Sequence, residues 1–170
     1  MTSAELLLDA FSRIRDEVTS AVQGLSIDQL CYRADPAANT IAWLVWHLTR
    51  IQDDHLAAAF ATEQVWISGG WSDRFALPFE PTAHGYGHTT EEVGAVRVDA
   101  ELLSGYHEAT HAETAKLLAG VSDSDLDRVV DDRWDPPVTL GVRLVSVIGD
   151  DLQHAGQAAF IRGLVERSET

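Results

Sequence analysis

Apolar residues recur every three or four positions in four long segments, and this period constrains the fold more than any other feature of the sequence. The segments cover about residues 3–23, 41–61, 100–119 and 140–166. Such a period is typical of amphipathic helices that bury one face. Residues suited to cap helix starts precede the segments: Thr2, Asn39 or Thr40, Asp99 and Thr139. The pattern predicts an all-α protein.

A short internal repeat suggests how the four helices are arranged. GLSIDQL (24–30) resembles GVSDSDL (120–126), and each is followed by an Asp-Pro turn, a threonine and a new helix. Two helix–connector–helix halves predict a four-helix bundle, and the long connection between its second and third helices allows a crossover topology. The length of 170 residues suits one domain, 1–170, with a single core.

Composition excludes several classes of partner. The chain has 27 acidic and 12 basic residues, a formal net charge of −15, which repels phosphate backbones and anionic lipids. We therefore expect no nucleic-acid or membrane partner. The longest apolar runs, 41–46 and 56–61, are far shorter than the roughly 18 residues of a membrane span. A lone cysteine, Cys31, and an N-terminus unlike a signal peptide favour a cytoplasmic location.

The connection over residues 63–98 is rich in aromatic residues, glycine and proline and has no sustained period. Long connections of this kind tend to be lids or binding loops. Alternatively, its aromatic side chains close one end of the bundle. The sequence leaves both interpretations open.

The histidines are the best indication of chemistry. His47 ends the apolar run Ile41–Trp46, where a polar ring must find a partner because burying it alone costs a few kcal/mol. His154 follows Asp150 by four residues, so both project from one helix face. If His47 lies opposite them, two imidazoles and one carboxylate can bind a divalent metal with coordination positions left open. The alternatives are a satisfied core histidine and an ordinary surface ion pair.

Other residues compete for these roles. Asp151 is an alternative carboxylate, Gln157 and Asp54 are candidates to orient a ligand, and the internal repeat aligns His154 with His55 rather than His47. His107 and His111 also lie four apart, but their polar surroundings predict exposure. His84 and His88 lie in the glycine-rich loop as further candidate contacts. Cys31 is expected to be structural rather than nucleophilic.

The fourth helix carries an apolar stripe that steps by three and four residues. Its members are Val145, Ile148, Leu152, Ala155 and Ala159. We expect this stripe to face the core. A second set of apolar residues, Val147, Ala158, Ile161 and Val165, lies on another side, so we expect the helix to pack on more than one side. Asp150 and His154 point away from the stripe, although Val147, Ala158 and Ile161 flank the pair.

The sequence resembles the DinB-like helical bundles, and among them the mycothiol S-transferases. The resemblance is carried by NTIAWLVWHLTRIQDDHLA (39–57), GYGHTTEEV (85–93) and WDPPVTLGVRLVSVIGDDLQHAGQAAFIRGL (134–164). It implies a four-helix bundle with one long crossover and a three-residue metal site at His47, Asp150 and His154. Many members have a second histidine at the position of Asp150, whereas thiol-dependent members often have an acidic residue there.

The resemblance also implies an activity. It suggests a metal-dependent S-transferase that takes a low-molecular-weight thiol such as mycothiol and an electrophilic small molecule. The metal, Zn or Ni, would activate the thiol as thiolate, and no side chain beyond the metal ligands need be catalytic. The resemblance further suggests a homodimer. The alternatives are a metal-dependent hydrolase that activates water, and a non-enzymatic, stress-related bundle with a structural metal.

Overall fold

The computed structural model describes residues 1–168, and the last two residues of the predicted domain, 169 and 170, lie outside the described part. Four long helices dominate it: α1 (Ser3–Val22), α3 (Ile41–Phe60), α7 (Ala100–Ala119) and α8 (Leu140–Ser168). The short helices are α2 (Ile27–Leu30), α4 (Val65–Ser68), α5 (Trp71–Phe75) and α6 (Thr90–Ala95). A 3-10 turn, Asp123–Asp127, precedes an antiparallel pair of strands, β1 (Val129–Asp131) and β2 (Val138–Thr139).

The starts of the long helices follow from local chemistry. Thr2 forms a capping box with Glu5 at the start of α1. The Thr40 side chain accepts from the backbone N–H of Trp43 in α3, and Asp99 accepts from Leu102 in α7. Each cap satisfies a backbone N–H that has no partner inside the helix. The predicted bounds of the long helices therefore agree with the structure to within two residues.

The long helices form a four-helix bundle, which confirms the predicted all-α class. Helix α8 packs against α1 and α3, and α7 packs against the same two helices. Helices α3 and α7 run in the same direction, because Thr49 contacts His107 and Gln52 contacts Thr114 farther along. Two consecutive long helices can be parallel only if a long connection crosses the bundle, and residues 61–99 make that crossover.

The crossover is anchored by a buried polar cluster on α3. Arg50 donates to the backbone carbonyl of Ala83 and to Gln64 Oε1. Asp53 accepts from the backbone N–H groups at the start of α4 and from the Tyr106 hydroxyl. Trp66 packs against the Tyr106 ring. The connection is thus an ordered layer packed on α3 and α7, and most of its large aromatic side chains are buried.

The buried face of α8 carries the second set of apolar residues expected for this helix (Val147, Ala158, Ile161 and Val165) rather than the main predicted stripe. Val145 and Leu152 of the predicted stripe are 64% and 48% exposed, whereas the buried face runs along Leu144, Val147 and Asp151. This face includes a fully buried carboxyl group, which an apolar-periodicity argument assigns to the solvent side. The predicted stripe is therefore wrong: the buried face is rotated from it by the angle between successive residues, about 100° around the helix axis.

The prediction that His107 and His111 are exposed is also wrong. Both are buried, on the face of α7 that meets α1 and α3. His107 Nδ1 lies 3.0 Å from the Thr49 hydroxyl, and His111 Nε2 lies 3.2 Å from the Ser12 hydroxyl. The charged neighbours Glu108 and Lys116 are exposed, whereas Thr110 and Thr114 are buried together with the histidines. Among the described residues, no helix has the length and apolar character that crossing a bilayer requires.

Candidate metal centre

The structure brings His47, Asp150 and His154 together where α3 and α8 cross. Each offers one ligand atom, and these atoms all lie within 4.8 Å of one another. His47 comes from the first half of α3, while Asp150 and His154 lie one turn apart on α8. Within residues 1–168 this is the only group of three or more candidate ligand side chains close enough to share an ion.

The orientation of His47 is set by the crossover connection. Its Nδ1 lies 2.5 Å from the backbone carbonyl oxygen of His84, so Nδ1 is the protonated nitrogen that donates. That leaves the Nε2 lone pair free to bind a cation. Trp43 stacks on the ring with centroids 4.6 Å apart. Burial lowers the pKa of His47, which favours the neutral imidazole that metal binding requires.

The His154 ring is held in the same way as the His47 ring, with Nδ1 hydrogen-bonded and Nε2 free. Its Nδ1 lies 3.1 Å from Gln157 Oε1, so it donates to the amide oxygen and Nε2 is left free. The Nε2 atom lies 3.7 Å from Asp150 Oδ1, beyond hydrogen-bond distance. Asp150 Oδ2 is buried without a hydrogen-bond partner among the described residues.

These contacts test whether a divalent cation fits. Two imidazoles present unprotonated nitrogens while their other nitrogens are held by oxygen acceptors, which is the arrangement usual around metal-bound histidine. A carboxylate with a buried, unpaired oxygen supplies the negative charge that a cation would balance. The donor set and its hydrogen bonds therefore fit a divalent transition metal.

The loop around Gly85 can approach His47 only because residue 85 lacks a side chain. A Cβ there would lie 2.8 Å from His47 Nδ1 and 3.1 Å from ring atoms of Trp43 and Trp46. The backbone φ of +96° also favours glycine. Sequence reasoning placed this loop near the function but did not identify the His84 carbonyl, since any residue type supplies a carbonyl.

The other candidate side chains lie around the centre or away from it. His88 Nδ1 accepts from the Trp43 indole N–H, so it supports the ring that stacks on His47. His55 pairs with Asp54 at 3.2 Å, farther along α3. Asp151 is fully buried, outside the three-residue group, and burial raises its pKa well above the usual range.

Cys31 lies at the C-terminal end of α2 and does not belong to the three-residue group. Its Sγ is within 3.7 Å of the Val96 carbonyl oxygen, and burial raises the pKa of the thiol. Because a raised pKa lowers the fraction of thiolate, these contacts favour a structural cysteine.

Comparison with known proteins shows which family the chain is related to over nearly its whole length. No curated protein matches it. A crystal structure described as the conserved protein of locus from Enterococcus faecalis superposes with a TM-score of 0.89 at 32% identity, covering 97% of this chain and 98% of that one. The family profile described as mycothiol-S-transferase matches residues 6–167. The chain therefore belongs to the mycothiol S-transferase family, with its DinB-like helical fold.

Proposed function

We propose that the protein is a metal-dependent S-transferase that joins a low-molecular-weight thiol, mycothiol, to an electrophilic small molecule. One observation carries the proposal: His47, Asp150 and His154 converge with both Nε2 atoms free in a chain of the mycothiol S-transferase family. We assign the three side chains as the ligands of one divalent ion, Zn or Ni. We place the reaction in the cytoplasm, where low-molecular-weight thiols are kept reduced.

The chemistry needs a thiolate near neutral pH. A divalent ion supplies it when bound, by lowering the pKa of a coordinated thiol. Three protein ligands leave coordination positions for that sulfur. The S–H bond would break and its proton would leave to solvent. The sulfur would then form a bond to the electrophilic carbon while the bond from that carbon to its leaving group breaks, and the leaving group would depart as an anion, chloride in the case of an aryl chloride.

The protein's own residues would bind the ion and orient its ligands. His47 and His154 donate electron pairs from Nε2, and the His84 carbonyl and Gln157 hold the two rings in that orientation. Asp150 contributes one negative charge. Trp43 covers one side of His47 and limits the approach of water.

The open positions that suit a thiol also suit water, so a metal-dependent hydrolase is the second candidate. A direct test follows the consumption of an electrophile, such as 1-chloro-2,4-dinitrobenzene, by Zn-loaded protein with and without mycothiol. We expect turnover only with thiol, and a loss of at least about 100-fold in His154→Ala. Turnover at the same rate without thiol would establish hydrolysis instead.

A further inference from the structure

An open cleft lies beside the metal centre, between the N-terminal end of α3 and the second half of α8. Its volume is about 640 Å³, within the usual range for small-molecule sites. The lining residues are Ala34, Ala37, Ala38, Asn39, Leu44, Gln153, Gly156, Gln157, Phe160 and Ile161.

The cleft is connected to the centre through Gln157. This side chain lines the cleft and accepts from His154 Nδ1. Phe160, at the far side, is six residues beyond His154, which is about 9 Å along the helix axis. A molecule whose sulfur lies at the metal centre therefore reaches the cleft with a group several bonds away from that sulfur.

The cleft carries no charge. None of its ten lining residues is acidic or basic, although the chain as a whole has a net charge of −15. An anionic group held there would have no cation to pair with, and it would be repelled by the field of the protein. The lining therefore favours a neutral group over an anionic one.

The cleft is also not purely apolar. Asn39, Gln153 and Gln157 bring three carboxamides to it, and their hydrogen-bonding capacity is largely unused within residues 1–168. A purely apolar ligand would desolvate these groups without replacing their bonds to water. Leu44 and Ile161 are buried beneath, and Phe160 is 65% exposed at the rim. Amides around an apolar floor fit a neutral group with many hydroxyls and a C–H face, such as a sugar.

We propose that this cleft binds the non-reacting, neutral polyhydroxylated part of the thiol substrate. The proposal rests on the proposed function, under which the thiol is mycothiol, an N-acetylcysteine joined to a glucosamine–inositol unit. The cleft would hold that unit while the sulfur reaches the metal centre. Glutathione, with its two carboxylates, is excluded by the same chemistry.

Gly156 offers a way to fill the cleft without disturbing the fold. A Cβ built there meets nothing within 4 Å, and the residue lies inside α8, where glycine is the less favourable choice. Gly149 is equally open, lies on the same helix seven residues earlier and does not line the cleft. Gly156→Leu and Gly149→Leu are therefore a matched pair of test and control.

The test is calorimetric titration with S-methyl mycothiol, which has no thiol to ionise. We expect wild type and Gly149→Leu to bind it with dissociation constants within twofold of each other, and Gly156→Leu to bind at least tenfold more weakly. S-Methyl glutathione should not bind.

Equal binding by wild type and Gly156→Leu, or no binding by wild type, would overturn the cleft assignment. So would a Gly156→Leu enzyme with a raised KM for the electrophile alone, which would make the cleft the acceptor site. A wild type that binds S-methyl mycothiol but shows no thiol-dependent turnover would contradict the proposed function and support the cleft.

Discussion

At the scale of single residues, the arrangement of the centre depends on which ring nitrogen of each histidine is protonated. The His84 carbonyl and the Gln157 amide oxygen hold Nδ1–H of His47 and His154 and thereby free both Nε2 atoms. The apolar run and the four-residue spacing made both histidines candidates, and the family resemblance selected them. The sequence could not predict the carbonyl, because a backbone group has no sequence signature and its position depends on the path of the crossover connection.

Gly85 gives the first prediction. In Gly85→Ala the new Cβ would contact His47 Nδ1 at 2.8 Å, so the loop must move and the His47–His84 hydrogen bond weakens. We expect a loss of about 1–3 kcal/mol in the free energy of unfolding and a weaker affinity for Zn²⁺. Urea unfolding and a competitive chelator titration measure the two effects.

Gly87→Ala is the control for this prediction. Gly87 also has a positive φ, +77°, but a Cβ there meets nothing within 4 Å. It should therefore lose some stability and keep the Zn²⁺ affinity of wild type. Equal losses of affinity in the two variants would show that the close approach at Gly85 does not position His47.

His107 gives a prediction about pH. The Thr49 hydroxyl donates to the Val45 carbonyl, so it accepts from His107 Nδ1–H and leaves His107 Nε2 buried without a partner among the described residues. Burial lowers the pKa of His107 to about 3. In the unfolded chain its pKa is about 6.5, so below that pH the unfolded state binds a proton that the folded state does not.

The free energy of unfolding should therefore fall as the pH drops below about 6.5, with this group contributing up to ~1.4 kcal/mol per pH unit. His107→Asn keeps a donor for Thr49 and cannot titrate in this range. Urea unfolding at pH 7.0, 6.0 and 5.0 should give a shallower decline for the variant. Parallel declines in the two proteins would contradict a buried neutral His107.

At the scale of elements, the crossover connection is held by charge as well as by aromatic packing. Arg50 is fully buried and contacts the Ala83 carbonyl, Gln64 and Asp53. The sequence did not identify this cluster, because a charged pair inside an amphipathic helix is normally assigned to the solvent face. The pair is buried because a second layer of chain covers that part of α3.

Asp53→Ala tests whether Asp53 anchors the crossover connection on α3. It removes the acceptor for two backbone N–H groups of α4 and for Tyr106, and it leaves a buried guanidinium without its carboxylate. We expect a loss of about 3–5 kcal/mol, measured by chemical unfolding. The neighbouring Asp54→Ala, in a half-buried position, should cost about 1 kcal/mol or less. Similar losses in both variants would contradict the anchoring role of Asp53.

At the scale of the whole molecule, the period and caps of the sequence predicted the four long helices, because each depends on local chemistry. The long connection only allowed a crossover, which the family resemblance implied. The rotation of α8 was not predictable in this way. Val142, Val145, Leu152 and Phe160 remain exposed on it, while Asp151 is buried. Periodicity identifies a helix face that carries apolar residues, but the packing of the other three helices decides which face is covered. A homodimer stays a prediction.

The central claim is that α3 and α8 together hold one divalent ion. Wild type, His47→Ala, His154→Ala and the control His55→Ala can be stripped of metal, reloaded with Zn²⁺, desalted and measured by elemental mass spectrometry. The structure predicts about one ion per chain in wild type and His55→Ala, and a near-complete loss in the other two. The same metal content in all four proteins would contradict the metal centre.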